Sequence, residues 1–236
     1  MAEPTRLSKM VAALVPCSRS EAEQYIAGGW VRVDGAVIEE PHFRVTDQRV
    51  EIDRDATLAA LTPVTLLLHK PAGMTTQQAL ASLAPSGRVS DDQSGIRTIR
   101  KHFANLQPLL ELPPPASGLT VFSQDGRIIR KLSEDARLLE QELLADVEGE
   151  IAPNGLARLC NGLKFEGDTL PPAKVSFQSE QRLRFALKGI APWVVPWMCE
   201  QVGLRLTAMK RLRIGRVAVA GLAPGQWRYL YEGEKF

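Results

Sequence analysis

Three short signals between Ser18 and Ile38 fix the local fold of that stretch before any long-range contact is considered. Ser18-Arg19-Ser20-Glu21 has the form of a capping box, in which the Ser hydroxyl and the Glu carboxylate each satisfy a free backbone amide at a helix start. Ala22, Tyr25 and Ile26 give that helix an apolar face, and Gly28-Gly29 stops it. Asp34-Gly35 then sits between the alternating runs Trp30-Val31-Arg32-Val33 and Ala36-Val37-Ile38, the pattern of a tight hairpin whose turn needs positive φ at both central residues. Upstream, Leu7, Met10, Val11 and Leu14 recur at helical spacing until Pro16 and Cys17 end the run. The predicted unit is helix, helix, hairpin.

Val45 to Ile52 continues in strand pattern, and Asp53 to Pro63, polar and Ala-rich, reads as a linker. The chain is therefore expected to divide into a small domain over residues 1–57 and a larger one over 58–236. In the larger part Val64 to Leu68, Leu119 to Phe122, Leu143 to Val147, Ala173 to Phe177 and Leu183 to Leu187 read as strands. Helical patterns at Ile128 to Leu139 and Leu156 to Leu159 fall between some of them. That order predicts an α+β fold whose second domain is built on a mixed or largely antiparallel sheet.

A chain of 236 residues, 44% hydrophobic and 24% charged, has room for both domains and is not composed like a disordered segment. No apolar run nears the roughly 18 residues that span a bilayer, and the first ten residues lack the order of a signal peptide, so a cytoplasmic, monomeric protein without membrane contact is expected. Cys17, Cys160 and Cys199 are far apart and show no paired ligand spacing, which suggests buried thiols and no metal. The net charge of +2 hides an uneven distribution. Residues 1–53 carry six Lys or Arg against nine Asp or Glu, whereas residues 182–216 carry eight basic residues against Glu200 alone. If RNA binds, its strongest electrostatic footprint is expected in the C-terminal part.

Arg6-Leu7-Ser8-Lys9, Ser18-Arg19-Ser20-Glu21-Ala22 and Val31-Arg32-Val33-Asp34-Gly35, in that order, resemble the RNA-binding domain named after a small-subunit ribosomal protein. The resemblance implies that Arg6, Lys9, Ser18, Arg19, Ser20 and Arg32 meet RNA phosphates. Read alone, the same residues are solvated caps and helix faces, and the acidic balance of the segment suits that reading too. Further on, Leu66-Leu67-Leu68-His69-Lys70-Pro71-Ala72-Gly73, Ser117-Gly118-Leu119 with Ser123-Gln124-Asp125-Gly126-Arg127, and Arg211-Leu212-Arg213-Ile214-Gly215 with Leu222-Ala223-Pro224-Gly225-Gln226-Trp227-Arg228 are similar to successive motifs of the RsuA-like ribosomal-RNA pseudouridine synthases. Taken singly, Lys-Pro-x-Gly and Asp125-Gly126 are ordinary turns. As an ordered set they cover the chain from about residue 6 to 230. Lys70, Arg211 and Arg213 are candidate RNA contacts; the two arginines, two apart on a strand-like stretch, would share one face.

The resemblance implies a fold and a reaction: cleavage of a uridine glycosidic bond, rotation of the base and rejoining through carbon, with no metal or cofactor, on one indispensable aspartate. Aligned on Ser117-Gly118, that aspartate position holds Pro113, and the arginine before it becomes Glu111. Proline has no ionisable group and stiffens the loop that would present one. The family's base-stacking aromatic aligns with Leu143, which has no π-face. The family's basic Arg-Gln-x-Arg-Arg stretch aligns with Trp193-Val194-Val195-Pro196-Trp197, where Pro196 should end or delay the helix. The expectation is that Trp193 and Trp197 fill an emptied pocket, a base-stacking platform being the alternative. These departures predict an RNA-binding family member without catalysis. The alternatives are an active synthase on a displaced carboxylate, from Glu111, Asp91 or Asp92, and a protein-interaction module built on the former cleft and Pro113-Pro114-Pro115.

Overall fold

A computed structural model of the chain describes residues 3–58 and 62–236; Ala59, Ala60 and Leu61 of the expected linker lie outside them. The chain divides into two compact units, Met1–Pro63 with Arg97–Ala104, and Val64–Ile96 with Asn105–Phe236. This differs from a single cut after residue 57 by ending the first stretch at Pro63 and by giving Arg97–Ala104 to the first unit. The reason is local: the Arg97 guanidinium donates to the Gly29 carbonyl at 2.9 Å, pairs with Asp53 at 2.7 Å and lies 4.2 Å from the Trp30 ring centre. The backbone amide of Arg100 adds a bond to Glu39 at 2.7 Å.

In the first unit β1 (Thr5–Arg6) leads into α1 (Leu7–Leu14) and α2 (Arg19–Ala27), followed by the hairpin β2 (Val31–Val33) and β3 (Ala36–Val37). The capping box forms as read: Ser18 Oγ accepts from the Glu21 amide at 3.2 Å, and the Glu21 carboxylate accepts from the Ser18 amide at 2.7 Å. Asp34 and Gly35 take φ of 49° and 82°, the positive values that the hairpin turn demands. The expected strand Val45 to Ile52 is broken in two. β4 (Arg44–Val45) pairs with β1, and β5 (Val50–Ile52) pairs with β2; between them Gln48 accepts from the Thr46 amide at 2.6 Å and bends the chain. Leu7, Val11, Ala22, Ile26, Val31, Val33 and Val45 close over one apolar core.

The second unit is built on β6 (Thr65–Lys70), β7 (Gln107–Leu109), β8 (Ser117–Ser123), β9 (Glu140–Glu148), β12 (Lys174–Ser179), β13 (Arg182–Lys188), β14 (Arg205–Ile214), β15 (Val217–Ala218) and β16 (Trp227–Tyr229), with the small hairpin β10 (Lys164–Phe165) and β11 (Asp168–Thr169) beside them. The sheet order is β12-β13-β9-β14-β8-β6-β16, with β15 on β14 and β7 on β8. Only the β14–β8 pairing is parallel among the described strands, so the sheet is mixed, as expected. All six residues of β6 are buried, which suits a strand in the middle of a sheet covered on both faces. Helices α3 (Thr76–Ala81), α4 (Gly126–Glu134), α5 (Gly155–Asn161) and α6 (Val195–Glu200) pack around it. The helix expected over Ile128 to Leu139 ends at Glu134 and gives way to a 3-10 turn, Ala136–Leu138, which turns the chain into β9. Asp125-Gly126, taken singly an ordinary turn, opens a helix: Asp125 caps α4, accepting from the Arg127 amide at 2.8 Å. Pro196 stands in the first turn of α6, which begins at Val195, so its missing amide costs nothing there. No helix among the described residues is long and apolar enough to cross a membrane.

Candidate functional site

Each unit holds one recess that gathers polar side chains singled out above. In the first, a recess of about 480 Å³ is lined by Arg6, Lys9 and Arg19 together with Arg44 and Ser8. Arg44 is brought there by the β1–β4 register, which sets it opposite Arg6; a pairing across so many residues leaves no local signal in the sequence. The unit's acidic balance thus coexists with a locally basic surface. Ser18, Ser20 and Arg32 are exposed but line no part of it. Ser18 spends its hydroxyl on the cap, and Arg32 donates to the Gly35 carbonyl at 3.1 Å. Ser8 is fully buried, and its hydroxyl has no hydrogen-bond partner among the described residues.

The second unit holds a cleft of about 570 Å³. Arg211 of β14 forms its floor. Its Nε donates to the Leu119 carbonyl at 2.7 Å, Nη1 to Gln141 Oε1 at 2.8 Å and Nη2 to the Leu110 carbonyl at 2.6 Å. All three acceptors are neutral, and full burial pulls the guanidinium down to about 9. Leu110 holds φ at 49°, a left-handed conformation that costs an ordinary residue roughly 1–2 kcal/mol, while its carbonyl is held by Arg211. Glu111, next in sequence, is exposed at the rim. Phe165 and Glu166 come from the β10–β11 hairpin, Arg137 from the 3-10 turn before β9, and Ile190 to Val194 from the segment entering α6. Phe165 meets Trp193 edge-on with ring centres 5.7 Å apart, and meets Trp197 at 4.8 Å.

Arg211 and Arg213 do not share the face expected of them, and Lys70, the third candidate RNA contact, is buried. A β-bulge between Arg211 and Arg213 sets them opposite Leu143 and Glu142, adjacent residues of β9, and so turns them to opposite sides of the sheet. Arg213 is taken up by Glu142 at 2.6 Å and Glu140 at 2.5 Å. The Arg184 hydrogen bond, backed by Arg213, holds the Glu142 carboxyl below the usual carboxylate range despite its burial. Lys70 is fully buried, and its Nζ donates to the carbonyls of Met74 at 2.7 Å, Pro71 at 3.1 Å and Pro114 at 3.2 Å. Burial, and after it the charge of Arg211, draws its ammonium down from the ordinary lysine range. The Gly73 amide also donates to Pro114 at 2.8 Å. Lys-Pro-x-Gly is therefore the clasp of the 113–115 loop.

Comparison with known proteins supplies the lineage of this scaffold. Residues 5–50 match the S4 domain. An uncharacterized RNA pseudouridine synthase of Aquifex aeolicus is 27% identical over 97% of this chain and 94% of its own length. Ribosomal large subunit pseudouridine synthase B of Bacillus subtilis is 25% identical over 95% and 91%, and dual-specificity RNA pseudouridine synthase RluF of Salmonella typhi is 25% identical over 98% and 77%. A crystal structure of a pseudouridylate synthase superposes with a TM-score of 0.60 over 95% of both chains at 18% identity, which shows a shared fold. The S4 match and these relatives together support the RsuA-like family of ribosomal-RNA pseudouridine synthases for this chain.

Of the positions read from the sequence as departures from the family, Glu111, Trp193 and Val194 line this cleft, whereas Pro113, Leu143 and Trp197 do not. Pro113 is half-buried, and its carbonyl accepts from the Ala116 amide at 3.0 Å. Leu143 has no exposed surface and lies in the apolar core with Leu112, Phe185 and Val195, so it presents nothing to a base. The two tryptophans separate: Trp197 packs against that core, but Trp193 is 58% exposed and lines the cleft, which is not filled. The expectation that both close the pocket is corrected, because the segment before α6 carries Trp193 outward as it carries Val194 and Val195 inward. Of the displaced carboxylates considered, Asp92 accepts from Arg88 at 3.1 Å, Ser94 at 2.8 Å and Tyr229 at 3.0 Å, and neither it nor Asp91 lines the cleft. Glu111 does. Glu166 does as well, carried there by the β10–β11 hairpin, for which Phe165-Glu166-Gly167 has the form of a turn.

Proposed function

We propose that this family member binds ribosomal RNA and does not isomerise uridine. One observation carries the reading: the position that the family gives to its carboxylate is Pro113, and Arg211, the cation on the floor of the adjacent cleft, is already bonded to three neutral acceptors. A carboxylate lost together with the demand for one leaves a satisfied site, whereas removal of one partner alone would strand a buried charge at a cost of about 3–5 kcal/mol. RNA binding is supported by the S4 match and by the recess of Arg6, Lys9, Arg19 and Arg44.

The test is tritium release from ribosomal RNA carrying tritium at uridine carbon 5. No release above background is expected. Release that is abolished by Glu111→Ala or Glu166→Ala would establish the second reading, an active synthase on a displaced carboxylate, which the presence of both side chains on the cleft favours. In parallel, affinity for the same RNA at two salt concentrations should fall as salt rises. Salt-insensitive or absent binding would point to a protein-interaction module.

A further inference from the structure

The cleft of the second unit carries a set of unused groups that suits a base other than uracil. Glu111, Glu166 and Arg137 are all exposed where they line it, and none has a hydrogen bond or ion pair among the described residues. Leu110, Leu170, Ile190 and Pro192 supply apolar walls between them. Trp193, 58% exposed and touching Phe165 edge-on, leaves indole surface for a ring to stack on. Two acids, Arg137 and the buried Arg211 leave the lining balanced in charge, which favours a neutral ligand with strong donor and acceptor edges over a cation or an anion. A volume of about 570 Å³ accommodates a nucleoside.

We propose that this cleft binds a guanine base of single-stranded RNA without reacting with it. Guanine offers N7 and O6 as adjacent acceptors, which a guanidinium grips with two parallel bonds, and N1–H and N2–H₂ as adjacent donors, which a carboxylate grips likewise. Arg137 takes the first edge, Glu111 or Glu166 the second, and Trp193 stacks on the ring. Uracil fails both requirements: its single N3–H donor lies between two carbonyl acceptors, so a carboxylate that meets the donor also faces an oxygen. The proposal rests on the RNA-binding reading given above and adds to it what the emptied cleft selects.

The experiment measures binding of the full chain to labelled pentanucleotides UUGUU, UUAUU, UUCUU and UUUUU by fluorescence anisotropy, with ribosomal RNA as a reference ligand. UUGUU should bind about tenfold or more tightly than UUUUU, the discrimination expected of a bidentate base contact. Trp193→Ala should weaken it about tenfold while Trp193→Phe retains it, and Arg137→Gln should erase the preference for guanine. Glu111→Gln and Glu166→Gln together should do the same, with folding checked by circular dichroism. Equal affinity for the four oligomers, or a guanine preference that survives all of these changes, would overturn the proposal. Displacement of UUGUU by an arginine-containing peptide that binds more tightly would also overturn it, in favour of a protein partner. If ribosomal RNA binds with salt dependence but the pentamers are not distinguished, the cleft proposal falls alone; if no RNA binds, the wider reading falls with it.

Discussion

Lys70 and Arg211 show how far a residue's role can depart from its type. Both are basic and both stand in motifs of an RNA-modifying family, yet both are buried on neutral acceptors. Lys70 ties Met74 and Pro114 to one ammonium, so its work is to hold the 113–115 loop. Replacement by Met would leave those carbonyls without their charged donor, and a loss of about 1–3 kcal/mol in urea denaturation is expected. The salt dependence of RNA binding should stay unchanged. An unaltered denaturation midpoint with a shallower salt slope would instead make Lys70 a phosphate contact. Nothing in Lys-Pro-x-Gly separates the two roles, because the direction of a lysine side chain is settled by which carbonyls lie within its reach after folding.

Among the elements, those held by local chemistry match what the residues announce. Ser18 and Glu21 cap α2 reciprocally, Asp34 and Gly35 turn the first hairpin, and Pro196 sits at the start of α6. Thr75-Thr76-Gln77-Gln78 carries the same kind of signal for α3: Thr75 Oγ1 accepts from the Gln78 amide at 3.0 Å and Gln78 Oε1 from the Thr75 amide at 2.8 Å. That signal is as local as the one at α2. The β14–β8 contact was not legible. There Gly118 has φ of +109°, and a Cβ on it would lie 2.2 Å from the Arg211 carbonyl oxygen and 2.6 Å from its amide nitrogen, both backbone atoms that cannot swing aside. Gly118→Ala is expected to destabilise the second unit by more than the roughly 1–3 kcal/mol of ordinary overpacking, and to show it as insoluble expression or a large fall in melting temperature. A near-native melting temperature would mean that the two strands separate at little cost. The bulge beyond Arg211 is equally a matter of pairing, since an extra residue in one strand is defined only against its partner.

For the molecule as a whole, the proposed absence of catalysis rests on departures at several positions, and a change at one of them should not reverse it. Restoring a carboxylate with Pro113→Asp is expected to leave tritium release at background, because Leu143 remains in the core and Arg211 remains bonded to Leu119, Gln141 and Leu110. Release from that single variant would show that Pro113 alone silences the site. The residues by themselves determined the helix-helix-hairpin, the α+β class, the order of the family motifs and the want of an ionisable group at Pro113, because caps, turns, periodicity and side-chain chemistry act over a few neighbours. Only the tertiary structure decided that Arg44 joins Arg6, that Arg211 and Arg213 face opposite ways, that Lys70 clasps a loop, and that Trp193 stands open on the cleft while Trp197 is packed away. Each of those depends on strand register and on burial between segments distant in sequence, quantities that no stretch of the chain contains alone.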